Sequence, residues 1–407
     1  MLCTKTFTRS GAGRRLLLLA CLLVAGPQVP AVQVGDLELS AARIKIGQHN
    51  LPVEAPTGLK FEVLNLEMRK PRMLTFAADG SLWIGSASGV VYRLEAPYTQ
   101  ASVVAEHADY PHGVAFRGDE VFLATTSVLL KAKLTPGPIE QWQTVVEIPG
   151  GSGHNSRTVR IGPDQRVYLS LGIRGNCSDE YLDESYPQHE RRGGVMVLDE
   201  RTKPARWLTH ASGLRNPVGF DWHPHTGVMY ASNNGPDHHG FELPPESFAK
   251  LDANSFHGMP WFQWDGKQHV RDDCVAKAPP HGNEALTRPV ATFPARSAPM
   301  AVAFAGAADL GGRFDGDAVV AIHGSWGTQP EGSGHGDPAT RRPPRLALVR
   351  FVGGKVARVD DFVRGFQLED GRRWARPVGA AFGPDGALYF SSDGGINGLF
   401  RLRLVSP

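Results

Sequence analysis

The chain has 407 residues, of which 41% are hydrophobic and 21% are charged, and its formal net charge is +2. This is an ordinary globular composition, and the near-neutral charge gives no electrostatic reason to expect nucleic-acid binding. The 47 glycines and 31 prolines favour a turn-rich all-β chain over a helical one.

Residues 1–31 have the features of a secretory signal peptide. Basic residues precede the apolar run LLLLACLLVAG, and the small-residue site Val29-Pro30-Ala31 follows it. The run is too short to span a bilayer. A lipoprotein signal at Cys21 and a twin-arginine signal at Arg14-Arg15 are weaker interpretations, because the apolar run continues past Cys21 and the rest of the twin-arginine pattern is missing. We therefore expect a periplasmic or secreted protein with no stable membrane insertion.

Cleavage after Ala31 would change both the charge and the cysteine content. Four basic residues and no acidic ones would be lost, so the net charge would become −2. Cys177 and Cys274 would remain, and two cysteines in an oxidising compartment most simply form a disulfide. Metal binding by two isolated cysteines is the weaker alternative.

A strand-turn-strand pattern returns six times along the mature chain. Each copy has an apolar-x-apolar triplet, usually followed by a polar turn, and then a second apolar strand, which is typical of an antiparallel hairpin. The copies are LTFAADGSLWIGSASGVVYRL (74–94), VAFRGDEVFLATTSVLLKAKL (114–134), VRIGPDQRVYLSLG (159–172), FDWHPHTGVMYASNNG (220–235), VAFAGAADLGGRFDGDAVVAIHGSWG (302–327) and AAFGPDGALYFSSDGG (380–395).

The spacing of the copies predicts an all-β, six-bladed β-propeller. The triplets end 40, 45, 61, 82 and 78 residues apart, and four strands need about 40 residues per blade, so the later blades carry long insertions. We assign 32–50 to an N-terminal segment and 51–407 to the propeller. An irregular pair of β-sandwiches is the alternative. The best short helix candidate is PPESFAKL (244–251).

Polar clusters stand at the ends of these hairpins. Because equivalent ends of successive blades converge on one face of a propeller, we expect the clusters to share one pocket. They are HNSR (154–157), GLRNPVG (213–219), NNGPDHHG (233–240) and RPVG (376–379), and HGSWG (323–327) ends an inner strand at a similar position.

Together these segments resemble the glucose/sorbosone dehydrogenase family, and its sorbosone dehydrogenase-like branch more closely. The similarity lies in HNSRTVRIGPDQRVYLSLG, GLRNPVGFDWHP, NNGPDHHGFELPP and RPVGAAFGPDGALYFSSD, and it runs from about Leu51 to the C-terminus. It implies a soluble six-bladed propeller that uses pyrroloquinoline quinone (PQQ) and Ca²⁺.

The resemblance assigns roles to individual residues. His154 matches the general base, whose neutral imidazole would take a hydroxyl proton while hydride leaves the sugar C1. Arg215 and Asn216 match a pair beside the quinone, where a guanidinium would stabilise negative charge on the quinone oxygens. Arg376 and Arg157 are further predicted cofactor contacts.

The resemblance also implies a calcium site. Gly235 and Pro236 match a Gly-Pro pair whose main-chain carbonyls hold Ca²⁺, which would act as a Lewis acid. The alternative is that this segment is only a turn. His238 and His239 suggest zinc, but adjacent histidines rarely ligate one ion together, so we interpret them as loop residues.

The chain departs from the family pattern in three places. The acid that orients the catalytic histidine in the glucose enzymes is replaced by Ile173. Either Asp179 or another loop group substitutes for it, or this branch works differently, or the chain binds without catalysing. Val378 stands where the family has an arginine, and the lysine that the glucose enzymes have near HGSWG is missing from this segment. The aromatic residues of HGMPWFQWDG (257–266) could stack on a sugar or pack in the core.

The sequence therefore predicts a periplasmic quinoprotein that oxidises an aldose or sugar aldehyde and passes electrons to a separate acceptor, since no haem-attachment motif is present. A propeller lactonase or related hydrolase with a metal in the channel is one alternative. A non-catalytic carbohydrate- or protein-binding propeller is another.

Overall fold

The computed structural model describes residues 35–405, except 280–281, 283–284 and 327–335. The predicted signal peptide lies outside this part of the chain. Helix within it takes the form of short 3-10 turns, among them Gln188–Glu190, Asp309–Gly312 and Pro338–Thr340. In the same residues no helix combines the length and apolar character needed to cross a membrane.

A hairpin and a single strand precede the first blade. The hairpin pairs β1 (Leu39–Ile46) with β2 (His49–Pro56), and β3 (Leu59–Asn65) follows. The hairpin crosses residue 50, where the sequence suggested a boundary. Leu51, Val53 and Ala55 of β2 are buried in the core that also contains Phe362 and Phe366. The hairpin is therefore packed against the propeller rather than set apart from it.

The first three blades follow in chain order, each as an antiparallel sheet. Their strands are β4 (Pro71–Phe76), β5 (Leu82–Ser86), β6 (Val90–Leu94) and β7 (Ala101–Glu106); β8 (Gly113–Arg117), β9 (Glu120–Ala124), β10 (Val128–Lys133) and β11 (Gln143–Glu147); and β12 (Val159–Ile161), β13 (Val167–Leu171), β14 (Gly194–Asp199) and β15 (Arg206–Ser212).

The fourth blade carries the long insertion that the spacing predicted. Its strands and those of the insertion are β16 (Phe220–Trp222), β17 (Met229–Asn233), β18 (Glu246–Leu251), β19 (Ser255–Phe256), β20 (Phe262–Trp264), β21 (His269–Arg271) and β22 (Ala291–Phe293). Within the insertion, β19 joins the third blade in parallel beside β15, and β20 and β21 form a separate hairpin. The insertion therefore links two neighbouring blades.

The last two blades complete the ring. Their strands are β23 (Pro299–Phe304), β24 (Ala318–Ile322), β25 (Arg345–Val352), β26 (Lys355–Val363), β27 (Ala375–Phe382), β28 (Leu388–Gly395) and β29 (Gly398–Leu404). Strand β3, which precedes the first blade in the chain, is the outer strand of the sixth blade, where Val63 lies opposite Phe400. The pairing of β3 with β29 thus closes the ring, and the six-bladed all-β propeller is confirmed.

Aromatic residues of the repeated pattern join neighbouring blades. The final residue of a triplet contacts an aromatic side chain from the second strand of the preceding blade in an edge-on or tilted geometry. The pairs and their ring-centroid distances are Trp83–Phe116 (5.4 Å), Tyr168–Trp222 (5.2 Å), Tyr230–Phe304 (5.6 Å) and, across the closure, Tyr389–Phe76 (5.2 Å). Each such pair adds about 0.5–1.5 kcal/mol beyond burial, so the repeat encodes blade-to-blade packing.

The segment 244–251 is a strand, and the helix suggested there is wrong. Residues Glu246–Leu251 form β18 between β17 and β22. Phe248 is fully buried in this position. Two flanking strands satisfy the backbone groups of β18, and this tertiary pairing outweighs the local helical preference of so short a segment.

The propeller brings selected loops together at one end. In every blade the first and second strands are antiparallel. Residues that precede the first strand and residues that follow the second strand therefore lie at the same end of each blade. The polar clusters of the sequence occupy these positions, where a rigid scaffold can hold binding residues in place.

Candidate active site

A cavity of about 160 Å³ lies among the loops of the third, fourth and fifth blades. It contains four residues to which the family resemblance assigned roles, namely His154, Arg215, Asn216 and Gly235. The remaining lining residues are Asn234, Asp237, Glu246, Arg296, Ala298, Gly324, Ser325 and Trp326. Residues as far apart in the chain as His154 and Trp326 thus meet in one place, as the propeller interpretation requires.

His154 is held by a main-chain carbonyl. Its Nδ1 lies 2.6 Å from the carbonyl oxygen of Ile173. A carbonyl only accepts hydrogen bonds, so Nδ1 carries the proton and Nε2 of the neutral ring is left as an acceptor. Burial and then the charge of Arg215 lower the pKa of His154 to about 4. His154 is therefore neutral at neutral pH.

This carbonyl replaces the missing acid. The Ile173 side chain is fully buried, and its main chain orients the ring. Asp179, the substitute considered from sequence, instead accepts a 2.6 Å hydrogen bond from the hydroxyl of Tyr186. A carbonyl fixes the tautomer as a carboxylate would, but it carries no full charge to stabilise an imidazolium.

Two buried arginines hold the His154 backbone. Nη1 of Arg157 and Nη2 of Arg192 donate to the His154 carbonyl oxygen at 2.8 and 3.0 Å. Both side chains are fully buried. Arg157 also donates to the carbonyls of Thr126 and Pro149. The predicted cofactor contact of Arg157 is thus not supported by its position, because its guanidinium is used beneath the loop and does not line the cavity.

Gly172 allows His154 and Asn216 to approach each other. A Cβ at Gly172 would lie 2.5 Å from Oδ1 of Asn216 and 2.7 Å from Cβ of His154. Real Cβ atoms do not approach that closely, so a larger residue would displace one of the two. Gly172 is the glycine of the SLG segment (170–172), and no sequence pattern predicted this role.

Arg215 is positioned by Asn176, a residue missed in the sequence. Its Nε donates to the Asn176 carbonyl and its Nη2 to Asn176 Oδ1, both at 2.8 Å. Asn176 precedes Cys177, which forms the predicted disulfide with Cys274 across a Cα–Cα distance of 5.8 Å. The confirmed disulfide therefore anchors the loop that orients Arg215.

The Gly235-Pro236 pair fits the predicted calcium site only in part. The Pro236 carbonyl oxygen accepts a hydrogen bond of 2.6 Å from Nη1 of Arg296. Arg296 also binds Asp237 through its side chain and its carbonyl. A guanidinium among these oxygens supplies the positive charge they require and would repel Ca²⁺. In this arrangement Pro236 does not serve as a metal ligand.

Glu246 stands behind the same loop and is also absent from the sequence-based set. Its carboxylate is buried and accepts a hydrogen bond from the Gly235 N–H at 2.5 Å. Burial raises the pKa of Glu246 to about 7, although the Gly235 N–H and the charge of Arg215 oppose the shift. Glu246 sits on β18, where the sequence suggested a helix, so its place in the cavity could not be predicted.

Arg376 lies beside the cavity rather than in it. Its Nε and Nη2 donate to the carbonyls of His323 and Gly324, both at 3.0 Å. It lines a neighbouring cavity of about 460 Å³ that shares Trp326 with the first one. Trp326 is 50% exposed, and Gly327 after it lies outside the described residues.

A second histidine is oriented by an acid. His323 Nε2 lies 2.7 Å from Oδ1 of Asp393, and Asp393 also forms an ion pair with Arg72. Nη2 of Arg72 reaches the Ser156 hydroxyl at 3.4 Å. Asp393 and Arg72 stand at blade ends equivalent to the recognised clusters, which is the signal that could have identified them.

The aromatic residues of segment 257–266 belong mainly to the core. Trp261 and Phe262 are buried in a cluster with Tyr181 and Phe256. Trp264 lines a small cleft of about 30 Å³ beside Arg215. The exposed aromatic surface at the candidate site is provided instead by Trp326.

No family model matches this chain. A protein of Borreliella burgdorferi, described only as uncharacterized, is 24% identical over 392 residues, which cover 89% of this chain and 94% of that protein.

Solved structures share the fold. The PQQ domain of pyranose dehydrogenase from Coprinopsis cinerea, in its holo form, is 19% identical with a TM-score of 0.67 and covers 87% of this chain and 97% of that chain. A calcium structure of a Trichoderma reesei carbohydrate-active enzyme of family AA12 is 17% identical with a TM-score of 0.69, covering 86% and 96%.

The PQQ-bound aldose sugar dehydrogenase from Streptomyces coelicolor is also similar. It is 17% identical with a TM-score of 0.57, and the match covers 86% of this chain and all of that chain. At such low identity these likenesses establish only that the chain shares the fold of these proteins. Its own reaction has to be argued from the residues of the cavity.

Proposed function

We propose that this protein is a PQQ-dependent dehydrogenase that oxidises an aldose or a sugar aldehyde in the periplasm or outside the cell. The observation that carries the proposal is the state of His154. The ring is neutral, its Nδ1 proton is committed to the Ile173 carbonyl, and it lines a cavity together with Arg215 and Asn216. A neutral imidazole with a free acceptor nitrogen is what proton removal from a sugar hydroxyl requires.

His154, Arg215 and Trp326 have different roles in the proposed reaction. Nε2 of His154 takes the proton of the C1 hydroxyl, so that the sugar can lose hydride from C1 and become a lactone, or an acid when an aldehyde hydrate reacts. Bound PQQ would supply the two-electron acceptor for that hydride. Arg215, fixed by Asn176, stabilises negative charge that develops beside it. The exposed face of Trp326 offers a stacking surface for a sugar ring.

The cavity fits an anionic planar cofactor better than it fits Ca²⁺. Arg215 and Arg296 both line it, and the buried Nε of Arg296 has no hydrogen-bond partner within the described residues. Such an unsatisfied donor favours a ligand that supplies acceptor oxygens. Because Arg296 binds the Pro236 carbonyl, we assign no step to calcium.

Reconstitution tests the proposal directly. Purified apoprotein is mixed with PQQ, with and without CaCl₂, and its absorbance spectrum is recorded before and after addition of each member of an aldose panel. We expect a PQQ-dependent spectral change on sugar addition and reduction of an artificial electron-accepting dye. Failure to bind PQQ, together with no dye reduction for any sugar, would overturn the proposal.

A hydrolase remains the second candidate, because the cavity holds side chains that such a site needs. Glu246, Asn216 and Asn234 converge there, and carboxylates with amides suit a hydrolytic metal in the channel of a propeller. The two arginines of the same cavity oppose a cation. Hydrolysis of sugar lactones with CaCl₂ and without PQQ would favour this candidate, whereas PQQ-dependent dye reduction excludes it as the main activity.

A further inference from the structure

Three metal-binding side chains meet in a cluster outside the cavity. His238 and His239 follow the Gly235-Pro236 loop, and Asp272 follows β21. Nε2 of His238 lies 3.1 Å and Nε2 of His239 lies 2.8 Å from Oδ2 of Asp272. The two rings are adjacent in sequence, and their centroids are 4.0 Å apart. Adjacent histidines rarely ligate one ion together, but here both imidazoles converge on one carboxylate from a different loop.

Asp272 needs a positive partner. Its side chain is 1% exposed, and within the described residues its ion-pair partners are the two histidines. The guanidinium of its neighbour Arg271 donates to the carbonyls of Trp261 and Val275 instead. Besides the two imidazoles, the Cys274 N–H donates to Oδ1 of Asp272 at 3.0 Å, and none of these contacts brings a permanent positive charge. A divalent cation between the three groups would supply the missing charge.

We propose that His238, His239 and Asp272 form a site for a zinc-class divalent transition metal. Two imidazole nitrogens and one carboxylate oxygen are a common zinc ligand set. Zinc-ligand bonds of about 2.0–2.2 Å place tetrahedral ligand atoms roughly 3.3 Å apart. The nitrogen-to-oxygen distances of 2.8–3.2 Å need to widen only slightly. Both histidine side chains are about one-third exposed, so water can complete the coordination.

Two neighbouring contacts limit how the metal is held. The sulfur of Cys177 lies within 4.8 Å of the His238 and Asp272 ligand atoms, but its disulfide with Cys274 leaves no thiolate to bind metal. Asn176 Nδ2 is 3.3 Å from Nδ1 of His238. Metal on Nε2 places the ring proton on Nδ1, so this contact, which is long for a hydrogen bond, has to open.

A bound metal would tie two loops together at the rim of the candidate active site. One loop carries Gly235 and Asp237, which line the cavity, and the other carries Asp272 and the disulfide residue Cys274. The metal is therefore a structural support for the cavity and is chemically distinct from the calcium that the family resemblance implies. Its ligands are side-chain nitrogens and one carboxylate rather than main-chain carbonyls.

The test measures metal binding without reference to activity. Tag-free protein is dialysed against chelator and titrated with ZnCl₂ by calorimetry in the presence of excess CaCl₂. Cobalt substitution is followed by visible absorption, and melting temperature is recorded with and without zinc. We expect one Zn²⁺ per chain with submicromolar affinity, a tetrahedral cobalt spectrum and a zinc-dependent rise in melting temperature.

Matched variants locate the site. His239→Gln, at a partly exposed position, should weaken zinc binding by more than about 100-fold and remove the thermal effect; Asp272→Asn should do the same. His225→Gln is the control, because Nε2 of His225 lies 2.7 Å from Asp315 and, within the described residues, no second histidine forms an ion pair with that carboxylate. No stoichiometric zinc in the parent protein, or equal affinity in His239→Gln, would overturn the proposal, whatever the outcome of PQQ reconstitution.

Discussion

His154 and His323 occupy the same end of the propeller, yet their partners are different. His154 donates to the Ile173 carbonyl, whereas His323 bonds to the carboxylate of Asp393. The pKa of both is nevertheless lowered to about 4, with burial as the main cause. An orienting acid would be expected to keep the pKa of a histidine higher than a carbonyl does.

Besides burial, the ion pair of Asp393 with Arg72 accounts for how little the acid raises the pKa of His323. The charges of Arg376 and Arg72 lower the pKa of His323, while Asp393 raises it. A carboxylate whose charge is already balanced by an arginine gives little net support to an imidazolium. The missing acid at position 173 is therefore a smaller loss than the sequence suggested, because an acid in such a setting would not by itself make a stronger base.

The largest expected effect separates the roles of the two histidines. His154→Ala should lower the PQQ-dependent kcat by about 10²–10⁴-fold, because proton transfer by a positioned base contributes that much. His323→Ala, which does not line the cavity, should change kcat by less than about tenfold. Steady-state dye reduction measures both, and retained PQQ binding shows that the variants are folded. Equal losses would mean that the base has been assigned to the wrong histidine.

The next prediction concerns the stability of the second pair. Asp393→Asn should lower the free energy of unfolding by about 3–5 kcal/mol, because it leaves the buried Arg72 without a counter-charge. Denaturant unfolding at neutral pH measures the change. Asp315→Asn is the control, since the exposed pair with His225 contributes at most about 1 kcal/mol.

The sign of the pH dependence gives a second measurement on Asp393. The charge of Arg72 and then the hydrogen bond with His323 hold the pKa of Asp393 well below its usual range, despite burial, which raises it. Its contribution to stability is therefore complete above the unfolded pKa of about 4 and is lost as pH falls below it. Asp393→Asn should flatten this acid limb. An unchanged limb would show that the pair does not form.

A smaller effect tests how His154 is positioned. Gly172→Ala should lower kcat by about 10–100-fold, because the new Cβ would displace His154 or Asn216. Small displacements of catalytic groups lower the reaction rate strongly. Gly137→Ala is the matched control, because a Cβ at Gly137 meets no atom within 4 Å. Unchanged kinetics in both variants would contradict the close packing at Gly172.

The smallest effect concerns the pH dependence of kcat. With the pKa of His154 lowered to about 4, kcat should stay level between about pH 5 and 8 and fall only near pH 4, where the imidazole becomes protonated. The folded pKa lies below the unfolded value of about 6.5, so the contribution of His154 to stability is complete above pH 6.5 and declines as pH falls. If kcat instead fell as pH dropped through about 6.5, and His154→Gln did not show this fall, the result would contradict the burial of the ring.

Much of the fold could be predicted because it repeats. The triplets ending at Phe116 and Trp222 mark inner strands, and their aromatic residues pack between blades. The shared location of His154, Arg215 and Gly235 could be predicted because each residue lies next to the end of a blade strand. The segment around Glu246 was misread because pairing with β17 and β22 is a long-range effect that no local pattern reveals.

What the sequence determined by itself is the repeat, the convergence of its polar ends and the pair Cys177–Cys274. Only the tertiary structure decided the partners of each group. A main-chain carbonyl such as that of Ile173 has no signature in the side-chain sequence, and Arg296 is separated by 60 residues from the Pro236 oxygen that it binds. Hydrogen bonds depend on distances of a few tenths of an ångström, and those distances are set by how the inserted loops pack on the blades.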